Sequence, residues 1–201
     1  MKKTGRIPAA TRCDAIVIGA SAGGIDALLQ LLPGLPPAFR VPIVVVLHLP
    51  EERDSHLAEI FNLRLALPVR EAMDKEAIRP GTVYFAAPGY HLSIEYDRSF
   101  SLSCEPPLHY SRPSIDILME SAADAYGSAV AGVLLTGANE DGAAGLCKIH
   151  ACGGVTIVQD PKEAQSAVMP DAALSLFAPD HVLKLNDIHA LLLTLDRSHA
   201  N

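Results

Sequence analysis

Short apolar runs alternate with amphipathic stretches along most of this chain. Ala15-Ile16-Val17-Ile18 is apolar throughout and short enough for a strand buried on both faces. Ile25, Leu28, Leu29 and Leu32 then recur at helical spacing, and Pro33-Gly34-Leu35-Pro36-Pro37 ends that helix. Pro42 to Leu47 (PIVVVL) reads as a second strand, whose β-branched run suits a parallel sheet. Leu57, Ile60, Phe61 and Leu63 mark a second helix, with Ser55 as its expected N-cap. Thr82 to Ala86 is strand-like between the turns Arg79-Pro80-Gly81 and Pro88-Gly89. His91 to Glu95 and Phe100 to Cys104 alternate in polarity around Tyr96 to Ser99, the pattern of a hairpin with one wet face.

Ile115, Leu118, Met119, Ala122 and Ala123 give a third helix its apolar stripe, and Gly127 is its expected stop. Ala129 to Leu135 is a third buried strand, a helix carrying Leu146 and Ile149 follows, and Val155 to Val158 is a fourth strand. Met169-Pro170 opens another helix, where the missing proline N–H does no harm. After a short strand at Val182 to Leu185, Asn186 or Asp187 is the expected cap of a last helix bearing Ile188, Leu191, Leu192 and Leu195. The predicted fold is α/β: a three-layer, doubly wound, mostly parallel sheet with an antiparallel hairpin at one edge. The chain of 201 residues suits one domain at 13–196, with a flexible tail at 1–12 and a short tail at 197–201.

The stretch Ala15 to Asp26, AIVIGASAGGID, carries the first candidate chemistry. Strand, small-residue turn and helix in succession aim backbone N–H groups at whatever sits over the helix. A dinucleotide fingerprint needs glycine at its third position and an acid after the next strand. This chain has Ser21 and His48 in those places. A serine nucleophile is the second chemistry, since residues with little bulk leave Ser21 open to a substrate. The structural alternative is a serine that caps the helix.

His48 follows the second strand, and Asp141 lies in the small-residue loop after Ala129 to Leu135. If those strands are parallel, Ser21, His48 and Asp141 share one sheet edge. A serine needs a base to take its proton, and the base needs an acid to orient it. Each residue also has a plain explanation as cap, strand-end histidine or loop acid.

The formal charge of −7 argues against a general nucleic-acid binder. No secretory signal precedes Asp14, and no apolar run reaches membrane-spanning length. The four cysteines show no C-x-x-C spacing, so reduced thiols in a cytoplasmic protein are expected, with no metal and no cofactor.

GASAGG after a strand, LHLP after the next, RPSID at a helix start, LLTGANEDGAAG and the late VMP resemble the CheB family of chemotaxis methylesterases, in its catalytic domain. The similarity runs from about Asp14 to Leu195 in the family's order. It implies hydrolysis of glutamate methyl esters on chemoreceptors, with release of methanol, and in some members deamidation of receptor glutamines. Carried over by motif, the nucleophile is Ser21, the general base His48 and the orienting acid Asp141. Arg112 is then a wall or substrate-positioning residue, the alternative being a structural pair with Asp116. Ala22, Gly137, Ala138, Asn139 and Met169 line the site or its oxyanion hole.

Several positions depart from the family's pattern. Ala138 stands where the family carries methionine, and only its backbone N–H is retained. Asn139 replaces a glycine and is the residue that best tolerates a left-handed backbone there. Glu140 sets a second carboxylate beside Asp141, which raises the pKa of the pair if both are buried. Ala22 replaces a hydroxyl residue. The chain has no stretch resembling the phosphoreceiver domain that precedes many relatives. The implied partners are the cytoplasmic helices of chemoreceptors, as substrate, and a chemotaxis methyltransferase, with neither nucleic acid nor membrane embedding. Two other readings fit the same residues: a serine esterase for another substrate, and a non-catalytic receptor- or methyltransferase-binding module.

Overall fold

β1 (Ala15–Ala20) is buried at all six positions because it is flanked and covered on every side. It pairs in parallel with β2 (Ile43–Leu47) on one side and with β7 (Val130–Leu134) on the other. The computed structural model describes residues 12–48 and 56–199. The Ser55 cap and Leu49-Pro50 of the LHLP motif lie outside them.

Between those strands run α1 (Gly24–Leu31), α2 (Leu57–Asn62), β3 (Val69–Glu71), β4 (Val83–Phe85), β5 (His91–Ile94), β6 (Phe100–Ser103) and α3 (Ile115–Tyr126). Beyond β7 come α4 (Ala143–Ala151), β8 (Val155–Gln159), α5 (Val168–Leu176), β9 (His181–Leu183) and α6 (Leu185–His199). Seven strands form one sheet in the order β3-β4-β2-β1-β7-β8-β9, with every neighbouring pair parallel. The chain winds outward from β1 through β2, then returns to lay β7 against β1's other side. Open α/β sheets bind ligands at the carboxyl ends of strands where the winding reverses.

Alternation along β1 divides the core. Ile16 and Ile18 join Leu28, Leu31, Ile188 and Leu192 of α1 and α6 on one face. Ala15 and Val17 join Leu118, Met119, Leu146 and Ile149 of α3 and α4 on the other. The result is the expected three-layer, doubly wound sheet.

The hairpin also forms, with β5 and β6 pairing antiparallel to each other as a separate sheet. Its Leu92, Ile94 and Phe100 enter the core beside α3, and Ile94 N–H donates to Ser121 Oγ at 3.0 Å. β3 has no counterpart in the sequence reading, since three residues are too few to show alternation. Asn62 holds it from outside, exchanging two 2.9 Å hydrogen bonds with the Val69 backbone. Helix α6 starts at Leu185, so Asn186 and Asp187 lie in its first turn and do not cap it. The Leu185 N–H donates instead to the Glu163 carboxylate at 2.7 Å, a partner distant in sequence. Gly127 ends α3 at φ +56°, as its position implied.

α3 and α4 cross closely at Gly145. A Cβ there would stand 2.6 Å from Met119 Cβ and 2.9 Å from the Asp116 carbonyl oxygen. Backbone cannot yield as a side-chain tip can. Gly145→Val is expected to destabilise the fold by about 1–3 kcal/mol through overpacking. Urea unfolding of the variant beside the wild type measures this.

Candidate active site

The parallel register of β1 and β2 places the first two candidate residues side by side. Ala20 pairs with Leu47, so Ser21 and His48 each follow the last paired residue. The ladders extend one step further through His48 N–H to Ala20 O (3.1 Å) and Ser21 N–H to Thr136 O (2.9 Å). Beyond Ser21 the chain must turn sharply into α1. Gly24 N–H donates to Ser21 O at 2.7 Å, and Gly23 takes φ +78°. Gly24 has no room for a Cβ, which would lie 2.5 Å from Leu47 Cδ1. Helix α1 has no side-chain cap. Ser21 therefore does not serve as one, and its hydroxyl has no hydrogen-bond partner among the described residues. Ser21 and His48 line one open cleft of about 320 Å³, together with Ile25, Asp26, Leu47 and Gln165.

Asp141 lies behind His48 and is wholly buried. Its Oδ2 meets His48 Nε2 at 2.9 Å and accepts the Ile115 N–H at 2.7 Å. Its Oδ1 accepts from Ser114 Oγ and the Asp116 N–H, both at 2.9 Å. Ile115 and Asp116 open α3, so Asp141 satisfies N–H groups that have no partner within the helix. Burial opposes the carboxylate's charge. The bonds from His48, Asp116 and Ile115 outweigh that penalty and hold the group below its ordinary pKa. An ionised carboxylate only accepts hydrogen bonds, so His48 donates to it from Nε2, and the neutral form of the ring then has Nδ1 as its acceptor. Ser111 Oγ stands 3.4 Å from that nitrogen.

The second carboxylate beside Asp141 is Asp116, not Glu140. Glu140 is exposed and meets His109 Nδ1 at 3.4 Å. Asp116 is buried, accepts Gly145 N–H at 2.7 Å and faces His109 Nε2 at 3.4 Å. Burial, reinforced by the charges of Asp141 and Glu120, pushes its carboxyl up to about 6 against the help of Gly145 and His109. Ligand atoms of His109, Asp116 and Asp141 lie within 4.8 Å of one another. Those of Asp141 are already taken up by four donors, so this group is built as a hydrogen-bond network and does not fit a metal ion.

The remaining candidate residues lie outside the cleft lining. Arg112 does not pair with Asp116. Its Nη1 donates to the carbonyls of Cys104 and Glu105, both at 3.1 Å, while its buried Nε has no partner among the described residues. Gly137 is locked in the loop frame: its N–H donates to Ser166 O at 3.2 Å, and its carbonyl accepts from Met169 N–H at 3.0 Å. Met169 is fully buried against it. Asn139 does not take the left-handed backbone. Its side chain accepts the Asp141 N–H at 3.3 Å. The N–H groups of Ala22, Ala138 and Asn139 have no acceptor among the described residues. The sequence reading missed Gln165, Ser111, His109 and the Oγ of Ser114. Ser114 lies within the RPSID stretch and Ser111 directly precedes it, while Gln165 and His109 lie in no motif.

The fold is a parallel, doubly wound α/β sheet that sets a serine and a carboxylate-held histidine at its reversal point. The chain belongs to the CheB methylesterase family, whose model matches residues 16–192. A relative from Leptospira interrogans is 46% identical over 92% of this chain and 96% of its own length. The protein-glutamate methylesterase/protein-glutamine glutaminase 1 of Hahella chejuensis is 42% identical over 90% of this chain. This chain spans 51% of that protein's length. The crystal structure of the Thermotoga maritima CheB methylesterase catalytic domain superposes with a TM-score of 0.87 at 33% identity, covering 91% of this chain and 98% of that one. No helix among the described residues is long and apolar enough to cross a membrane.

Two outcomes follow from the opposed carboxylates. Asp141→Asn sets an amide N–H₂ against donors and is expected to lower stability by about 2 kcal/mol or more in urea unfolding at neutral pH. Asp116 has the reverse sign. Between its ordinary 3.8 and about 6 the folded chain keeps a proton that the unfolded chain has lost. Stability therefore falls as pH rises through that window. Asp116→Asn should be more stable than the wild type at pH 7, with the difference vanishing near pH 4, by urea midpoints at both values.

Proposed function

We propose that this chain is a serine hydrolase that removes methyl esters from glutamate side chains of chemoreceptors and releases methanol, with receptor glutamines as further substrates. One observation carries the reading: a serine hydroxyl with no hydrogen-bond partner among the described residues shares a cleft with a histidine whose far nitrogen is held by a buried carboxylate. Membership of the CheB methylesterase family and the names of its relatives supply the ester and the glutamate.

In this mechanism Nδ1 of His48 takes the Ser21 proton, and the alkoxide attacks the ester carbonyl. The N–H groups of Ala22, Ala138 and Asn139 are the donors assigned to the oxyanion, since that of Gly137 is already committed. Such a donor is worth about 10²–10³ in rate. Met169 and Gly137 shape the loop behind these donors. His48 returns the proton to the departing methoxide. Water, deprotonated by the same nitrogen, then frees the glutamate and restores Ser21. Asp141 keeps the ring oriented and stabilises the imidazolium. Arg112 acts at the wall, bracing Cys104 and Glu105 on the approach to the Leu108–Ser111 turn, and so positions substrate indirectly. A chemoreceptor substrate places the enzyme in the cytoplasm, on the receptor's signalling helices, opposite a chemotaxis methyltransferase.

The test is methanol release from a methylated chemoreceptor fragment. Ser21→Ala and His48→Ala are each expected to lose about 10⁴-fold or more of kcat while melting as the wild type does. A Ser21→Ala enzyme that retains most of its turnover would refute the nucleophile.

A further inference from the structure

Asp141 engages only one nitrogen of His48, and the other faces a hydroxyl that the family motifs do not mark. Ser111 Oγ lies 3.4 Å from Nδ1 and, on its other side, 3.4 Å from the His109 carbonyl oxygen. These are its two hydrogen-bond acceptors among the described residues. A hydroxyl has one proton and rotates, so it serves one acceptor at a time and offers its lone pairs to the other side.

The backbone that carries Ser111 is held firmly. Leu108 and Ser111 exchange both of their backbone hydrogen bonds, at 3.1 and 2.8 Å. His109 and Tyr110 between them take φ of +48° and +61°, the left-handed pair of a tight two-residue turn. The imidazole of His109 then spans Asp116 on α3 and Glu140 on the loop that bears Asp141, at 3.4 Å each. The turn is thereby tied to both elements that fix Asp141. Ser111 sits beside the base for the same structural reason that Asp141 sits behind it.

We propose that Ser111 is a positioning residue for the general base. Its hydroxyl donates to Nδ1 of His48 in the resting enzyme and swings to the His109 carbonyl when Ser21 takes that nitrogen. The inference rests on the reading of His48 as base. A ring held at Nε2 alone can tilt about that contact. A second contact at Nδ1 fixes its plane and keeps Nδ1 an acceptor. Once His48 has taken the serine proton, a Ser111 hydroxyl turned to His109 presents lone pairs to the Nδ1–H of the imidazolium. The same side chain thus meets both protonation states without moving its backbone.

Two variants and two readouts test this. Ser111→Ala leaves both backbone bonds of the turn in place, and Ser111→Thr keeps the hydroxyl. With the methylated receptor fragment, Ser111→Ala is expected to lower kcat about three- to tenfold, as for one hydrogen bond, with KM unchanged. Ser111→Thr should restore kcat. In ¹⁵N-histidine-labelled protein without substrate, the Nδ1 resonance of His48 should move downfield in Ser111→Ala, as an acceptor nitrogen does on losing a donor, and return in Ser111→Thr. An unmoved Nδ1 resonance, or a Ser111→Ala kcat equal to or above the wild type's, overturns the proposal. The resonance needs no turnover, so it tests Ser111 separately from the nucleophile, which stands or falls on Ser21→Ala.

Discussion

The carboxylate of Asp141 is the constraint on which the site depends. A fully buried charge survives only where donors replace the water it has lost. Here a histidine, a serine hydroxyl and two backbone N–H groups do so. The two backbone donors are the first of α3, whose dipole also favours an anion there. One charge therefore joins three elements: the loop after β7, the start of α3 and the histidine after β2. None of the three could shift without leaving a buried partner unsatisfied.

Packing around α3 explains the small residues better than substrate access does. Ile115, the first residue of that helix, presses on both Gly19 and Gly142. A Cβ on Gly142 would stand 2.6 Å from Ile115 Cγ2. Gly137 yields in the same way to Met169, and Gly24 to Leu47. The two glycine-rich loops are shaped largely by what lies beneath them. The open space above, between Ser21, His48 and Gln165, is what that packing leaves at the sheet's edge. Asp116 and Asp141 show how finely environment sorts like groups: bonds from His48 and two backbone N–H groups hold one carboxyl low against its burial, while burial holds the other high.

Much of this was legible in the chain itself. The apolar runs at Ala15–Ile18, Pro42–Leu47 and Ala129–Leu135 are the three central strands, because residues buried on both faces leave no polar alternation to confuse the reading. Ser21, His48 and Asp141 could be singled out because each follows such a strand. Boundaries set by distant partners were not legible. The cap of α6 comes from Glu163, and β3 is held by Asn62. Neither contact leaves a local trace.

By itself the sequence determined the layered α/β class, the strands at the centre and the residue types available at their carboxyl ends, since hydrophobic periodicity and turn chemistry act locally. Tertiary structure alone decided which groups meet. Register set Ser21 beside His48. Burial chose Asp141 over its neighbour Glu140 and brought Asp116 to it from across the fold. The Leu108–Ser111 turn delivered a hydroxyl to the base from a stretch with no motif of its own. Charge, distance and solvent exclusion are properties of that assembled edge, and no stretch of the chain holds them before it folds.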